Sequence, residues 1–219
     1  MGKAGKLIDR PSAGVRKSAP MGREQSFTTR FRRSALCATL AALALFPACG
    51  GSLYKVKPKV DTPVTDGKDA GAGGFRLRAA PLVTDEESQE LFEANLPLAG
   101  LLPVRVEIRN ESGSPITFKR VRFHLRDAEG REWKFRSPKQ AVSRILKADE
   151  VYLYNPNSRK RFEEGVREYS LDLETPLDSG NQRRGLIFFQ TPKKEPVENS
   201  RGLVLTVEGL PQPVEVIFN

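Results

Sequence analysis

Apolar residues recur at every second position through much of the chain after residue 74, and this two-residue period constrains the fold more than any other feature. Phe75, Leu77 and Ala79, for example, alternate with Arg76 and Arg78. Such alternation is typical of β-strands with one buried and one solvated face. Segments of similar character predict further strands at residues 104–109, 116–125, 132–135, 151–154, 169–173, 185–190, 203–208 and 214–218.

Helical patterns interrupt these strands at two places. Thr84 and Glu87 have the form of a capping box and predict a short helix that ends near Asn95. A serine followed by a proline predicts a second helix over residues 137–147. Residues 156–165 are polar and basic, so we expect an exposed loop there. About eight closely spaced strands, without the βαβ rhythm of parallel sheets, predict a mainly β fold: an antiparallel β-sandwich with one or two short helices.

A basic segment followed by an apolar run indicates that the chain is exported. Arg30, Arg32 and Arg33 precede the run Ala35–Ala48, which ends at a small residue directly before Cys49. A basic region, a short apolar core and a small residue at the cleavage site are typical of a signal peptide that is removed.

The sequence Leu45–Gly50 resembles the lipobox of bacterial lipoproteins, which are cleaved before a cysteine that then carries the lipid. Phe46 and Pro47 differ from the residues most usual at those positions. The resemblance implies that Cys49 is the first residue of the mature chain and the site of lipid attachment. Two alternatives stay open: the apolar run could remain as an uncleaved anchor, or cleavage after Ala48 could release a soluble protein.

The expected length of a signal peptide divides the chain into segments. A signal beginning at Met1 would exceed the usual length of about 15 to 30 residues, whereas one beginning at Met21 would not. Residues 50–74 are rich in Gly, Pro and Lys and have little apolar content to bury, so they predict a flexible tether. We therefore expect a mis-assigned N-terminal extension at 1–20, a lipoprotein signal peptide at 21–48, the lipidated cysteine and tether at 49–74, and the β-sandwich at 75–219.

Removal of the signal changes the charge of the protein. The whole chain has 36 Lys and Arg, 27 Asp and Glu and a net charge of +9. Nine of these basic residues and two of the acidic ones precede Cys49, so the mature chain has 27 basic and 25 acidic residues and a net charge of +2. A nearly neutral chain without a nucleic-acid-binding motif argues against nucleic acid as a partner.

Cysteine usage predicts a domain held together by its hydrophobic core. Cys37 lies within the apolar run, so Cys49 would be the only thiol of the mature protein. Neither an intramolecular disulfide nor a cysteine-based zinc site is then possible. A domain of about 145 residues buries enough surface to fold without them.

The segment 103–133, together with Arg184–Phe189, resembles immunoglobulin-like domains of poorly characterised bacterial envelope lipoproteins. In those domains a strand that ends in Asn, here Asn110, precedes a turn, a further strand and a glycine-containing hairpin. A late strand begins after a glycine, here Gly185. The resemblance implies an immunoglobulin-like β-sandwich and says little about function, because the shared motifs are structural.

A short aromatic and basic stretch is the candidate interaction patch. Tyr152 and Tyr154 would lie on the outer face of a strand, and Arg159, Lys160 and Arg161 follow closely. Exposed aromatic side chains beside basic ones could bind a protein, a sugar chain or an anionic polymer. The alternative is that this strand is covered on both sides and that the charges are merely solvated.

Few other residues could perform chemistry. His124 is the only histidine, and although Asp127 lies three residues away, no nucleophile motif accompanies the pair. The acidic residues at positions 85, 86, 87 and 90 could gather a calcium ion, yet they lack the spacing of a calcium loop and suit the N-terminus of a helix. We therefore predict no catalytic residue, no metal and no cofactor other than the covalent lipid on Cys49.

The predicted function is that of a non-catalytic envelope lipoprotein that binds a protein partner or helps an assembly, with no small-molecule substrate. The lipid would raise the effective concentration of the domain near a partner at the membrane. Gly50 after Cys49, in place of Asp, resembles an outer-membrane sorting signal, and the domain would face either the periplasm or the cell surface. The alternatives are a cell-wall or polysaccharide-binding module, indicated only by the tyrosines, and an envelope hydrolase or metalloenzyme.

Overall fold

The alternating segments of the sequence form strands of an antiparallel sheet. A computed structural model describes residues 54–59, 63–151 and 155–219. Its strands are β1 Lys68–Ala72, β2 Phe75–Pro81, β3 Leu101–Asn110, β4 Arg122–Arg126, β5 Glu132–Arg136, β6 Gln182–Gln190, β7 Leu203–Glu208 and β8 Val214–Phe218. Its helices are α1 Asp85–Phe92, α2 Pro138–Ala148 and α3 Pro156–Tyr169. The prediction of a mainly β, antiparallel fold is confirmed. The described residues form three helices, where one or two short helices were expected.

The eight strands follow the order β1-β2-β3-β6-β5-β4-β7-β8, and β8 also contacts β1, so the sheet is nearly closed. β5 joins its two halves. Near its start Trp133 is paired with Leu125 of β4, and near its end Phe135 is paired with Phe189 of β6. β3 lies between β2 and β6, so β3, β4 and β5 do not form a meander although they follow one another in the sequence.

Two hydrophobic clusters fill the domain, and β3 and β6 contribute to both. Residues such as Val106 and Phe189 point to the inner cluster, which the two halves of the sheet enclose. Leu101 and Phe188 point to the opposite face and join the outer cluster with the three helices. A strand that is covered on both faces needs apolar residues on both faces, so its apolar residues follow one another without alternation. This is why the second half of β6 is a nearly continuous apolar run.

The hairpin of β1 and β2 lies partly within the predicted tether. Gly73 and Gly74 have φ values of 58° and 79° and form a two-residue turn between the paired residues Ala72 and Phe75. Positive φ at both turn residues is the conformation that glycine favours in tight hairpins. The tether prediction is therefore wrong for residues 68–74. Alternation could not predict β1, because its sequence, KDAGA, has no large apolar residue.

Residues 54–59, here called the N-terminal strap, also belong to the folded domain. Tyr54 is buried with 5% exposure and lies in the outer cluster. The backbone N–H of Lys57 donates to the carbonyl of Leu91, the penultimate residue of α1, at 3.1 Å. Free movement of this segment would require the loss of these contacts, so the tether prediction is wrong here as well.

The two predicted helices begin where their capping residues indicate. Thr84 and Glu87 form a complete capping box, and so do Ser137 and Gln140 at the start of α2. Each box satisfies N–H groups that a helix N-terminus leaves without intrahelical partners. α1 ends at Phe92, slightly before the predicted end, and α2 extends one residue beyond it.

Helix α3 replaces the exposed loop expected at residues 156–165. The side chain of Asn155 accepts hydrogen bonds from two N–H groups of the first turn, and Pro156 occupies the first helical position. Phe162, Val166 and Tyr169 then follow at spacings of four and three residues and are buried. This apolar stripe is a helical signal, diluted by the polar residues that surround it.

Three predicted strands are only partly present, or not present, among the described residues. Within residues 116–125, only those from Arg122 onward lie in a strand, and Ile116 forms an isolated bridge with Leu177. The strand expected at 169–173 is reduced to a single parallel bridge between Ser170 and Leu186, because α3 continues to residue 169. Of the strand expected at 151–154, Val151 is in no strand, and residues 152–154 lie outside the described part of the chain.

Candidate functional site

The predicted interaction patch is only partly described. Cys49, Tyr152 and Tyr154 lie outside the described residues, so their proposed roles stay predictions. Arg159, Lys160 and Arg161 lie in the first half of α3. The described part of the patch, Arg159–Arg161, therefore belongs to a helical layer and not to an exposed loop.

Acidic residues of α3 offset part of the positive charge of this patch. Arg159 pairs with the glutamate one turn later at 2.9 Å, and Lys160 pairs with the next glutamate at 3.8 Å. Arg159 also donates to Ser143 Oγ of α2 at 2.8 Å, which joins the two helices. Arg161 is exposed and has no ion-pair partner among the described residues. The patch is thus less basic than its sequence indicates, and one of its cations has a structural contact.

The N-terminal strap packs on the same helical layer. The ring of Tyr54 stacks on Phe162 of α3 with centroids 4.7 Å apart, and its hydroxyl donates to Asp149, the C-terminal cap of α2. The hydroxyl of Tyr169 donates to the carbonyl oxygen of Pro58 at 3.1 Å. Burial raises the pKa of Tyr169, so this hydroxyl stays protonated and able to donate. The strap therefore connects the start of the domain directly to α2 and α3.

A cleft of about 760 Å³ lies beside α3, and we call it the α3 cleft. The second half of α3, residues 170–174, the start of α2 and strands β5 and β6 contribute to its lining. Leu186, Ile187 and Phe188 are its buried apolar residues on β6, and Phe135 of β5, which is 40% exposed, also lines it. The rest of the lining carries charges of both signs, including Lys139, Arg167, Glu168 and Glu174. Apolar surface surrounded by charged groups is suited to binding part of a peptide or protein.

A network of hydrogen bonds holds one wall of the α3 cleft in place. The guanidinium of Arg183 donates to the carbonyl oxygens of Asp172, Thr175 and Pro176 at 2.7, 2.6 and 2.9 Å. Burial acts to raise the pKa of Asp172, but hydrogen bonds from Thr175 and from backbone N–H groups outweigh it, so the net pKa is lowered. The wall is therefore preorganised and charged at neutral pH.

Sequence reasoning missed the α3 cleft because several separate segments form its lining. No periodicity or motif in a single segment indicates that α3, β5 and β6 meet there. The only local signal is the apolar stripe of α3, which predicts a helix with one buried face. The stripe does not identify the elements against which this face packs.

The surroundings of His124 do not form the histidine–aspartate pair considered from the sequence. Its Nδ1 is 2.8 Å from Glu132 Oε1, and its Nε2 is 3.6 Å from Glu208 Oε2. Asp127 instead accepts hydrogen bonds from Arg131 at 2.8 Å and from the indole N–H of Trp133 at 3.3 Å. His124 thus lies between two glutamates on neighbouring strands, an arrangement suited to joining β4 to β5 and β7.

The acidic residues near α1 serve the helix and its ion pairs. Glu87 closes the capping box and lies 3.9 Å from Arg105, and Glu90 lies 3.3 Å from Lys57 of the N-terminal strap. The described residues contain no group of three or more His, Cys, Asp or Glu side chains that could hold a metal ion. No helix in that part of the chain is long and apolar enough to cross a bilayer.

Comparison with known proteins gives little further information. No family model matches the chain, and no curated protein matches it. Among solved structures, a secreted protein from Mycobacterium tuberculosis, MPT63, matches with a TM-score of 0.30 and 11% sequence identity, over 64% of this chain and 81% of that one. A TM-score and a sequence identity this low support no inference about function.

Proposed function

We propose that this chain is a non-catalytic lipoprotein of the cell envelope, anchored through Cys49, whose β domain binds an envelope protein. The lipobox-like sequence Leu45–Gly50 supports the anchor, and the folded domain begins shortly after it. Tyr54, only five residues after Cys49, is already packed on α3. Five residues span at most about 18 Å when fully extended. A lipid on Cys49 would therefore hold the helical layer close to the membrane.

The α3 cleft is the proposed contact surface for the protein partner. Its exposed aromatic residue, Phe135, is of the kind enriched at interfaces, and its charged groups could fix the orientation of a bound segment. Arg183 fixes one wall before binding, which limits the entropy that binding would cost.

An immunoglobulin-like sandwich is part of the same proposal. The strands β1-β2-β3-β6 and β4-β7-β8 would be the two layers, and β5 would be the strand that passes between them. The inner hydrophobic cluster, which takes residues from both sets of strands, supports this description. The architecture concerns the framework of the domain and leaves its partner open.

The proposed location is the outer membrane, because Gly50 rather than Asp follows Cys49. A wall- or polysaccharide-binding module is the alternative function. Its indication, the pair Tyr152 and Tyr154, lies outside the described residues, and none of the contacts above favours it.

Intact mass measurement of the protein extracted from native membranes tests the anchor. We expect a chain that begins at a triacylated Cys49, and we expect Cys49→Ala to lose membrane retention. An unmodified chain, or a variant that still partitions with membranes, would contradict the lipid anchor.

Site-specific photo-crosslinking tests the contact surface. A crosslinking residue at Phe135 should capture an envelope protein, whereas one at Ile217, which is 55% exposed on β8 and is not among the cleft residues, should not. Equal capture from the two positions would show that the α3 cleft is not the interface.

A further inference from the structure

The face of α2 that is turned to solvent carries a shallow depression of about 350 Å³, which we call the α2 depression. Its lining includes three cations of the helix and one from each neighbouring segment, and no acidic residue. These cations are Arg136, Lys139, Arg144, Lys147 and Lys194.

The positive charge of the α2 depression is not balanced locally. The sequence of α2 contains no Asp or Glu, and its three cations have no ion-pair partner among the described residues. Helix α3 is the useful contrast, because its glutamates pair with Arg159 and Lys160. Like charges gathered in this way create a local positive potential that attracts anions.

Two buried hydrogen-bond donors at the same place lack acceptors. Gln190 is 3% exposed, and its Oε1 accepts a hydrogen bond from Arg136 Nε at 2.8 Å. The other terminal atom of this side chain is therefore the amide nitrogen Nε2, which is a hydrogen-bond donor. This Nε2 and the Nε of Arg144 are both buried without a partner in the described structure, as is Oε2 of Glu195, which is not among the lining residues. The Nη2 of Arg144 donates to the carbonyl oxygen of Lys194 at 3.0 Å. Gln190 and Arg144 both line the α2 depression. Folded proteins rarely leave such donors unpaired, and an oxyanion would supply the missing acceptors.

The place of the α2 depression relative to the anchor indicates where the anion comes from. The C-terminal cap of α2, Asp149, accepts a hydrogen bond from Tyr54, which lies five residues after Cys49. An 11-residue helix is about 16 Å long, so all of α2 is close to the start of the domain. A lipid on Cys49 would thus place the depression next to phospholipid headgroups.

We propose that the α2 depression binds the phosphate groups of anionic phospholipids and so places the solvent-facing side of α2 against the membrane surface. The choice of lipid phosphate over free phosphate rests on the proposed function, because it requires the anchor. The domain would then have a fixed orientation, with the solvent-facing side of α2 toward the bilayer.

Hydrogen exchange of the full-length lipidated protein in vesicles tests this proposal. The protein is reconstituted into vesicles of phosphatidylcholine alone and into vesicles that also contain phosphatidylglycerol. We expect amides of α2 and of residues 190–195 to gain protection only in the vesicles with phosphatidylglycerol. High salt should reduce the gain, because each cation near an anionic surface contributes an electrostatic attraction that salt screens.

Charge-reversal variants identify the residues responsible. Lys139 and Lys147 are exposed, so K139E/K147E should fold and should lose the added protection. K139Q/K147Q, which removes the charges without reversing them, should lose most of it and serves if the first variant fails to fold. K119E/R120E changes the same number of exposed charges away from α2 and should keep the protection.

Three outcomes would overturn the proposal. One is equal exchange in the two kinds of vesicle, and another is unchanged protection in both lysine variants. The third is full protection by inorganic phosphate added to phosphatidylcholine vesicles, which would assign the α2 depression to a free anion. If intact mass shows no lipid on Cys49, the anchor fails separately, and flotation of the same variants with phosphatidylglycerol vesicles then decides whether the depression binds this lipid.

Discussion

Replacement of Asn110 by Asp should destabilise the domain although the two side chains have nearly the same shape. Asn110 ends β3 and is 0% exposed. Its Nδ2 donates to the carbonyl oxygens of Ser114 and Leu177, both at 2.8 Å. Its Oδ1 accepts from the N–H and the hydroxyl of Ser112 at 3.0 and 2.7 Å. The side chain therefore joins the turn after β3 to a segment 67 residues further along the chain.

The substitution removes both N–H donors of Nδ2 and keeps the acceptor oxygen Oδ1. The Leu177 carbonyl still accepts from the N–H of Ile116 at 2.9 Å, and the Ser114 carbonyl still accepts from the hydroxyl of Ser112 at 3.1 Å, so each loses one of two hydrogen bonds. A hydrogen bond contributes about 0.5 to 1.5 kcal/mol, so the two lost bonds together account for about 1 to 3 kcal/mol. The introduced carboxylate would also face these oxygens, which should raise its pKa in the folded protein above the unfolded value. When protonated, it can donate to one of the two. The loss of stability should therefore be largest at neutral pH and should decrease as the pH falls toward the usual range of aspartate.

Urea denaturation of the full chain, followed by fluorescence, measures this effect. Trp133 is the only tryptophan and is 8% exposed in the folded domain, so it reports unfolding. The control is Asn181→Asp, because Asn181 is exposed nearby and its side chain makes none of these contacts. A loss below about 1 kcal/mol at pH 7, or one that does not depend on pH, would refute the reasoning about the two donors.

Two further predictions concern the N-terminal strap and the histidine. Gly165→Ala should destabilise the domain or detach the strap despite the better helix propensity of Ala, because the added Cβ would lie 2.6 Å from Val56 Cβ. The double variant with Val56→Gly removes this Cβ and should recover stability relative to the single variant, and a stabilised single variant would contradict the packing. The hydrogen bond from His124 lowers the pKa of Glu132, so this residue contributes stability that is present above its usual pKa and is lost as the pH falls through the lowered value. In urea denaturation, Glu132→Gln should reduce stability at neutral pH and weaken the loss of stability that occurs as the pH falls. An unchanged loss at acid pH would count against the pair of His124 and Glu132. The control is Glu129→Gln, at an exposed residue of the neighbouring turn.

Local features of the fold were the ones that could be predicted from the sequence. The capping boxes at Thr84 and Ser137 mark the starts of α1 and α2, since the residues that satisfy a helix N-terminus lie within it or directly before it. β2 and β3 were predicted by alternation because each has a face toward the inner cluster. β1 was missed, because it forms through pairing with β2 and has no large apolar residues of its own.

The candidate sites show a similar division. The cations of α2 are visible in its sequence, but their importance depends on Gln190, which comes from β6 and brings a buried donor without an acceptor. The basic run Arg159–Arg161 predicts an interaction patch from the sequence, yet two of its three charges form ion pairs within α3. Charge along a chain indicates an interaction surface only when the positions of neighbouring elements are known.

The sequence by itself predicts an export signal and a candidate lipid site, and it determined most of the extended segments and where two helices begin. These properties depend on covalent order and on contacts within a few residues. Only the tertiary structure decided that β3 pairs with β2 and β6, that the strap from Tyr54 packs on α3, and that the α3 cleft and the α2 depression exist. The physical reason is that each of these depends on side chains brought together from distant parts of the chain, and the free energy of such contacts belongs to the folded domain as a whole.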